Sequence, residues 1–157
     1  MGAESEEKFR EVRASNKAGE LFLKGYNCAQ SVFGALAGDF GIDEASALKL
    51  SAPLGGGVGR MREVCGAFSA CAMLLGLKRA SAEASDERKR EIYALTQKLA
   101  EDFKKRNGSI ICREILGLQN GAELSPKPES RDAGYYASRP CLRVVEQAFE
   151  IIREYVK

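Results

Sequence analysis

The chain has 157 residues, of which 45% are hydrophobic and 29% charged, and its formal net charge is +2. This composition is ordinary for a folded globular protein of one domain, and the balance of charge argues against nucleic acid as a partner. The absence of histidine excludes Ser-His-Asp and Cys-His catalysis, histidine-ligated metals and haem attachment through CxxCH.

The pattern of apolar residues also bears on the location of the protein. No uninterrupted apolar run reaches the length of about 18 residues that a membrane-spanning helix needs, so we expect no membrane span. Residues 1–10 lack the basic start and the apolar stretch of a secretory signal. These features predict a cytoplasmic protein that forms a single helical domain over residues 1–157.

The first predicted elements are helices. Apolar residues at helical spacing predict a helix over 5–25 and a second over 28–40, for which Asn27 is a suitable N-cap. A third, shorter helix is expected from Asp43, as its cap, to about Ala52. The chain therefore begins as an all-α protein.

A glycine-rich run at 55–59 leads into an apolar helix that we predict over 61–77. Beyond Glu63 this segment has no charge until Lys78, which indicates burial on all sides. The glycine run lacks the Gly-Lys-Ser/Thr of a P-loop, so a tight turn is favoured over phosphate binding. We expect this helix to be the central one of an all-α bundle of roughly five to seven helices.

The second half of the chain continues the helical pattern. An amphipathic helix is predicted over 84–106, followed by a short helix over 109–116. Residues 117–139 are predicted to form a long loop, and a last helix is expected to start near Pro140. A loop of this length in a compact domain is often functional.

Five cysteines are the residues best suited to chemistry: Cys28, Cys65, Cys71, Cys112 and Cys141. In a reducing cytoplasm, scattered cysteines are buried apolar residues, metal ligands or redox groups. All except Cys71 fall at or near predicted helix starts, where free amides and the helix dipole favour a thiolate and lower the thiol pKa. Cys71 lies in the middle of an apolar helix and is assigned to packing.

Three segments of the sequence resemble motifs of the C_GCAxxG_C_C family, whose members are described as redox-active. They are the GYNCAQ segment at 25–30, the glycine run that leads to Val-Cys-Gly-Ala at 64–67, and GSIICREILG at 108–117. Cys141 is similar to the family's last cysteine position, and the glycine that closes its CGAxxG pattern is Ala70 here.

The resemblance covers about residues 17–153. It implies a redox activity carried by Cys28, Cys65, Cys112 and Cys141, and it leaves Cys71 outside the pattern.

Three functions remain open at this point. The first is thiol–disulfide or small-oxidant chemistry with Cys65 as one partner, which requires no cofactor and leaves the redox partner or oxidant unidentified. The second is a zinc or iron–sulfur site with Cys28, Cys65, Cys112 and Cys141 as its ligands. The third is a non-enzymatic helical module with inert cysteines, for which a homodimer is one form.

The evidence for a functional role is weaker for the charged and aromatic residues close to these motifs. Arg60 and Arg62 could hold an anion or lower the pKa of Cys65, although solvated charges are more common at such positions. Tyr135 and Tyr136 could close over a site, although an apolar anchor for the long loop is the simpler interpretation.

Overall fold

The structure is a computed structural model, and it describes residues 12–119 and 124–157. Within these ranges the chain forms α-helices and short 3₁₀ turns and no β-strand, which confirms the all-α prediction. The helices are α1 (Lys17–Leu23), α2 (Cys28–Leu36), α3 (Glu44–Ser51), α4 (Gly66–Arg79), α5 (Asp86–Asn107), α6 (Cys112–Ile115), α7 (Ala133–Ser138) and α8 (Cys141–Tyr155). Among the described residues no helix is long and apolar enough to cross a membrane.

Local capping explains where several helices begin. The Asn27 side chain accepts a hydrogen bond from the Gln30 amide, and the Gln30 side chain accepts one from the Asn27 amide, which completes a capping box. Asp43 and Ser85 cap α3 and α5 in the same way, through the amides three residues later. The predicted starts of these three helices agree with the structure within two residues.

Helix α4 packs against α2, α5 and α8, and its inward side chains belong to the main apolar core. It begins at Gly66 and not near Met61, because residues 60–65 hydrogen-bond to the glycine run and to the 110–112 segment instead of forming helical bonds. Its last turn is less buried than predicted, since Leu77 is 43% exposed.

Two other predicted boundaries also differ from the structure. The expected helix over 5–25 starts only at Lys17, after the N-cap Asn16, and the part of that prediction at residues 5–11 lies outside the described residues. The short helix begins at Cys112, because Ser109 accepts a hydrogen bond from the Ile111 amide and forms a turn.

The predicted long loop at 117–139 contains α7. Asp132 caps this helix by accepting a hydrogen bond from the Tyr135 amide at 2.8 Å, although Gly134 had suggested a helix breaker. Tyr135 and Tyr136 pack against the Phe22 ring, with ring centroids 6.5 and 6.2 Å from it, and so anchor this segment to α1.

Candidate functional site

The four cysteines of the motif lie at the starts of four different helices. Cys28, Cys112 and Cys141 are the first residues of α2, α6 and α8, and Cys65 is the residue before α4. All four line one cavity of about 350 Å³. The folding of distant segments therefore brings together the cysteines that the sequence singled out.

A short backbone connection holds Cys65 and Cys112 near each other. The Cys65 amide donates to the Ile110 carbonyl at 2.7 Å, and the Cys112 amide donates to the Glu63 carbonyl at 2.6 Å. These bonds flank an isolated antiparallel bridge between Val64 and Ile111. The two cysteines thus extend from adjacent antiparallel segments.

The glycine run lies against both Cys28 and Cys112. The Cys28 sulfur faces the backbone amide of Gly56, and a Cβ built on Gly57 would lie only 2.6 Å from the Cys112 Cβ. Any side chain at Gly57 would therefore displace Cys112. Two adjacent glycines allow both cysteines to approach the same stretch of backbone.

This stretch has an unusual backbone conformation. Val58, Arg60 and Arg62 have φ values of 65°, 59° and 60°, and Gly56, Gly57 and Gly59 also have positive φ. A left-handed conformation at a β-branched residue such as Val58 is strained, and such strain is concentrated at functional sites. Here the conformation places the Arg60 and Arg62 side chains at the cavity.

The environment of the thiols opposes their ionisation. Burial raises the pKa of Cys65 well above its ordinary value, and it also raises the pKa values of Cys28 and Cys141, the latter to about 12. Backbone amides lower the pKa values of Cys28 and Cys65, but desolvation outweighs them. The predicted lowering of the pKa by helix starts is therefore wrong for these three cysteines.

The four thiols are close enough to influence one another. A thiolate at Cys112 raises the pKa of Cys28, Cys65 and Cys141, and a thiolate at Cys28 raises the pKa of Cys65 and Cys141. Like charges that share a site suppress each other's ionisation. The arrangement therefore favours at most one thiolate at a time.

One of these sulfurs is in contact with a cation. The Arg62 guanidinium donates to the Cys112 Sγ, with 3.7 Å between Nη1 and Sγ. This contact gives the Cys112 sulfur a positively charged hydrogen-bond donor. Sequence reasoning had associated Arg62 with Cys65, whereas its contact is with Cys112.

Cys71, in contrast, is remote from this chemistry. It is fully buried within α4, its Sγ lies 3.5 Å from the Ala148 carbonyl oxygen, and burial raises its pKa strongly. It does not line the cavity that the four other cysteines share. These observations agree with the assignment of Cys71 to packing.

Sequence analysis did not identify two arginines that lie at the site. Arg131 donates to the carbonyls of Phe22 and Tyr26 at 3.0 and 3.1 Å, and its guanidinium lies 4.2 Å from the centre of the Phe22 ring. Arg139 lies further along the same segment and pairs with Glu129. Arg131 contacts residues more than 100 positions away, so no local pattern could have indicated its role.

The cysteine arrangement was also tested as a metal site. Across 12–119 and 124–157, no three or more cysteine, aspartate or glutamate side chains are grouped closely enough to hold a metal ion. The four thiols surround the cavity rather than meeting at one point. In this conformation they do not fit zinc or an iron–sulfur cluster as a ready set of ligands.

Comparison with known proteins agrees with the cysteine pattern. A family model described as "Putative redox-active protein (C_GCAxxG_C_C)" matches residues 26–155, which is most of the chain. The chain belongs to this family. Comparisons with curated proteins and with solved structures gave no match.

Proposed function

We propose that the protein is a thiol–disulfide oxidoreductase in which Cys112 is the reactive thiolate and Cys28 is its partner. The contact between the Arg62 guanidinium and the Cys112 sulfur is the single observation that carries this proposal. Sequence analysis favoured Cys65, but burial raises the Cys65 pKa so far that its thiolate is scarce near neutral pH. Cys28 is preferred as the partner because it and Cys112 flank the same two glycines.

The reaction balances as an ordinary dithiol–disulfide exchange. The Cys112 thiolate attacks one sulfur of a small disulfide, the S–S bond breaks, and the leaving thiolate takes up a proton. The Cys28 thiol then loses its proton, attacks the Cys112 sulfur and releases the second small thiol. Two cysteine thiols are oxidised to one disulfide, and one small disulfide is reduced to two thiols.

The remaining two cysteines have a different expected role. Cys65 and Cys141 interact electrostatically with both members of the proposed pair. A thiol in that position can exchange with the Cys28–Cys112 disulfide and pass oxidation onward. We therefore expect Cys65 and Cys141 to affect turnover more than the first oxidation step.

A direct test is to count thiols before and after oxidation. The reduced protein, isolated without oxygen, is treated with one equivalent of hydroxyethyl disulfide, then denatured and alkylated without reduction. Intact mass should show two fewer labels than the five cysteines of the chain, and peptide mapping should find Cys28 linked to Cys112. An unchanged label count would contradict the proposal, and a different linked pair would contradict the assigned roles.

Two variants separate the roles of the pair. In a background where Cys65 and Cys141 are also serine, Cys28→Ser should trap a mixed disulfide on Cys112, because no resolving thiol remains at the cavity, whereas Cys112→Ser should form no adduct at Cys28. Cys71→Ala is the matched control and should still lose two labels on oxidation. Equal adducts on both serine variants would show that Cys112 has no special reactivity.

A four-cysteine metal or iron–sulfur site is the second candidate, since all four cysteines line one cavity. It requires the thiols to move together from the positions described above. Metal analysis of the same anaerobic sample tests it. Stoichiometric zinc or iron, together with thiols that hydroxyethyl disulfide does not oxidise, would favour this candidate over thiol exchange.

A further inference from the structure

The charged residues around the cysteine cavity are mostly positive. Its lining includes four arginines and a single acidic residue, Glu129: the arginines are Arg60, Arg62, Arg131 and Arg139. The lining therefore carries a net of three positive charges while the thiols are protonated. The whole chain, in contrast, is almost neutral at +2, so this charge is local to the cavity.

Contacts within the protein hold these arginines in place. Arg131 is fixed by two backbone carbonyls, and its guanidinium contacts the rings of Phe22 and Tyr135, at 4.2 and 4.8 Å from their centres. Arg60 donates to the Ser125 carbonyl at 2.6 Å. Because their side chains are already ordered, these groups lose little further entropy when they bind an anion.

One carboxylate serves two of the arginines. Glu129 pairs with both Arg60 and Arg139, whose side chains are only 22% and 17% exposed, while Glu129 itself is 46% exposed. A single negative charge cannot neutralise two guanidinium groups that are shielded from water. Arg60 and Arg139 therefore retain positive charge that an incoming anion can satisfy.

The size of the cavity limits the ligand. A volume of about 350 Å³ lies at the lower end of the range found for small-molecule sites, roughly 300–1,000 Å³. Apolar side chains such as Phe22, Ile115 and Val144 line it together with the arginines. This combination suits a short organic chain with anionic ends better than a bare inorganic oxyanion.

We propose that the substrate of this cavity is a small organic disulfide that carries carboxylate groups, held by the arginines while its S–S bond meets Cys112. This inference rests on the proposed thiol–disulfide function and adds the class of substrate. The reaction is the exchange described above, with the anionic disulfide as oxidant and two anionic thiols as products. Guanidinium groups recognise carboxylates through paired hydrogen bonds, which orients the ligand.

Three small disulfides of similar length and different charge provide the test. Dithiodipropionate is a dianion, hydroxyethyl disulfide is neutral, and cystamine is a dication. The rate of Cys28–Cys112 disulfide formation is measured with each disulfide. Each rate is then divided by the rate at which the same disulfide oxidises an uncharged free thiol, which corrects for differences in reactivity among the three disulfides. The expected order is dianion, neutral, dication, with on the order of tenfold between the extremes at low salt.

Two further changes should reduce this preference. High salt should reduce the difference in rate between the dianion and the dication, because the Debye length falls to about 3 Å at 1 M. Arg139→Gln should lower the rate with the dianion severalfold, whereas Arg139→Lys should preserve most of it because the charge remains. Arg90→Gln on the exposed face of α5 is the matched control and should leave all three rates unchanged. Equal normalised rates, or the reverse order, would overturn the inference.

A ligand that cannot react separates this inference from the proposed function. Suberate has the length of dithiodipropionate with methylene groups in place of sulfur. We expect suberate to raise the melting temperature of the wild type and of Arg90→Gln, and to raise that of Arg139→Gln clearly less. Octanediol, its neutral counterpart, should have no comparable effect.

The outcomes of the two assays are distinguishable. If none of the disulfides oxidises the cysteines but suberate still binds through Arg139, the anion site stands and the redox function fails. If suberate stabilises no better than octanediol, the anion site fails, whatever the thiols do.

Discussion

Replacement of Gly66 by alanine probes how tightly α4 packs against the cysteine cavity. A Cβ built at Gly66 would lie 2.6 Å from the Cys28 sulfur, 2.7 Å from the Leu54 carbonyl oxygen and 3.1 Å from the Ala29 Cβ. The carbonyl belongs to the backbone and cannot move aside cheaply. Gly66 therefore allows the start of α4 to approach both Cys28 and the turn that precedes the glycine run.

The expected change in stability follows from two opposing terms. Exchange of glycine for alanine gains about 1 kcal/mol in propensity in a helix interior, and less at the first helical position, where Gly66 lies. Insertion of a methyl group into a packed contact costs typically about 1–3 kcal/mol, and the two sub-3 Å contacts place Gly66 at the upper end of that range. We expect Gly66→Ala to lower the free energy of unfolding by about 1–2 kcal/mol.

The same helix supplies a matched control at Gly76. A Cβ there would meet no atom within 4 Å, so Gly76→Ala gains helix propensity without a clash and should stabilise by about 0.5–1 kcal/mol. The two variants should therefore differ by roughly 1.5–3 kcal/mol in urea denaturation, or about 3–12 °C in melting temperature.

A thiol measurement adds a second criterion for Gly66→Ala. Because the new methyl group must displace the Cys28 sulfur, oxidation of the proposed Cys28–Cys112 pair should slow in this variant and stay unchanged in Gly76→Ala. Equal stability of the two variants, with equal oxidation rates, would refute the close contact between Gly66 and Cys28.

Three further predictions concern single side chains and pH. Asn27→Ala should cost about 1–2 kcal/mol of stability by urea denaturation, because Asn27 both caps α2 and donates to the Ala52 carbonyl at 2.9 Å; a loss below about 0.5 kcal/mol would contradict this. Stability should fall as pH rises above about 8.5, the pKa of an unfolded thiol, because the raised pKa of Cys141, about 12, keeps it protonated in the folded state only; Cys141→Ala should reduce this slope in unfolding measured from pH 7 to 10. Cys71→Ala should cost about 1 kcal/mol through lost packing without altering disulfide formation, and a change in thiol oxidation would contradict the separation of Cys71 from the cavity.

Local signals predicted those parts of the fold that depend on a few neighbouring residues. Asn27 and Asp43 were recognisable caps because an N-cap acts on amides two or three positions ahead. The same locality placed Cys28 and Cys141 at helix starts. The four motif cysteines could therefore be assigned to helix ends from the sequence alone, although their meeting at one cavity could not.

The errors occur where distant segments decide the structure. The residues before Gly66 have a helical apolar pattern, but their backbone bonds to Ile110, Cys112 and the glycine run, all outside the local window. Arg131 reaches the cavity through carbonyls of α1 and the turn after it. Neither contact produces a periodic pattern in the sequence. The start of α4 at Gly66 and the position of Arg131 at the cavity therefore could not be predicted without the structure.

The prediction that helix starts lower the pKa values of the thiols was wrong for an energetic reason. A helix start lowers a thiol pKa through a few amides, and the structure retains that effect at Cys28 and Cys65. Cys65 is buried and Cys28 is partly buried, and desolvation of a charge outweighs those amide contacts. Position in a helix can be read from sequence, whereas burial depends on how the helices pack.

In the proposed exchange, burial and mutual repulsion favour one order of reaction. A negative charge on Cys112 raises the pKa of Cys28, Cys65 and Cys141, so the other thiols stay protonated. Attack by Cys112 on a substrate disulfide would remove that charge, and Cys28 would then become easier to ionise when it is needed to resolve the mixed disulfide. An anionic substrate would oppose the Cys112 thiolate on its own, and the arginines around the cavity offset that repulsion. In the proposed exchange, the positive lining would therefore do more than select a ligand, because it would allow an anionic disulfide and a thiolate to share one small cavity.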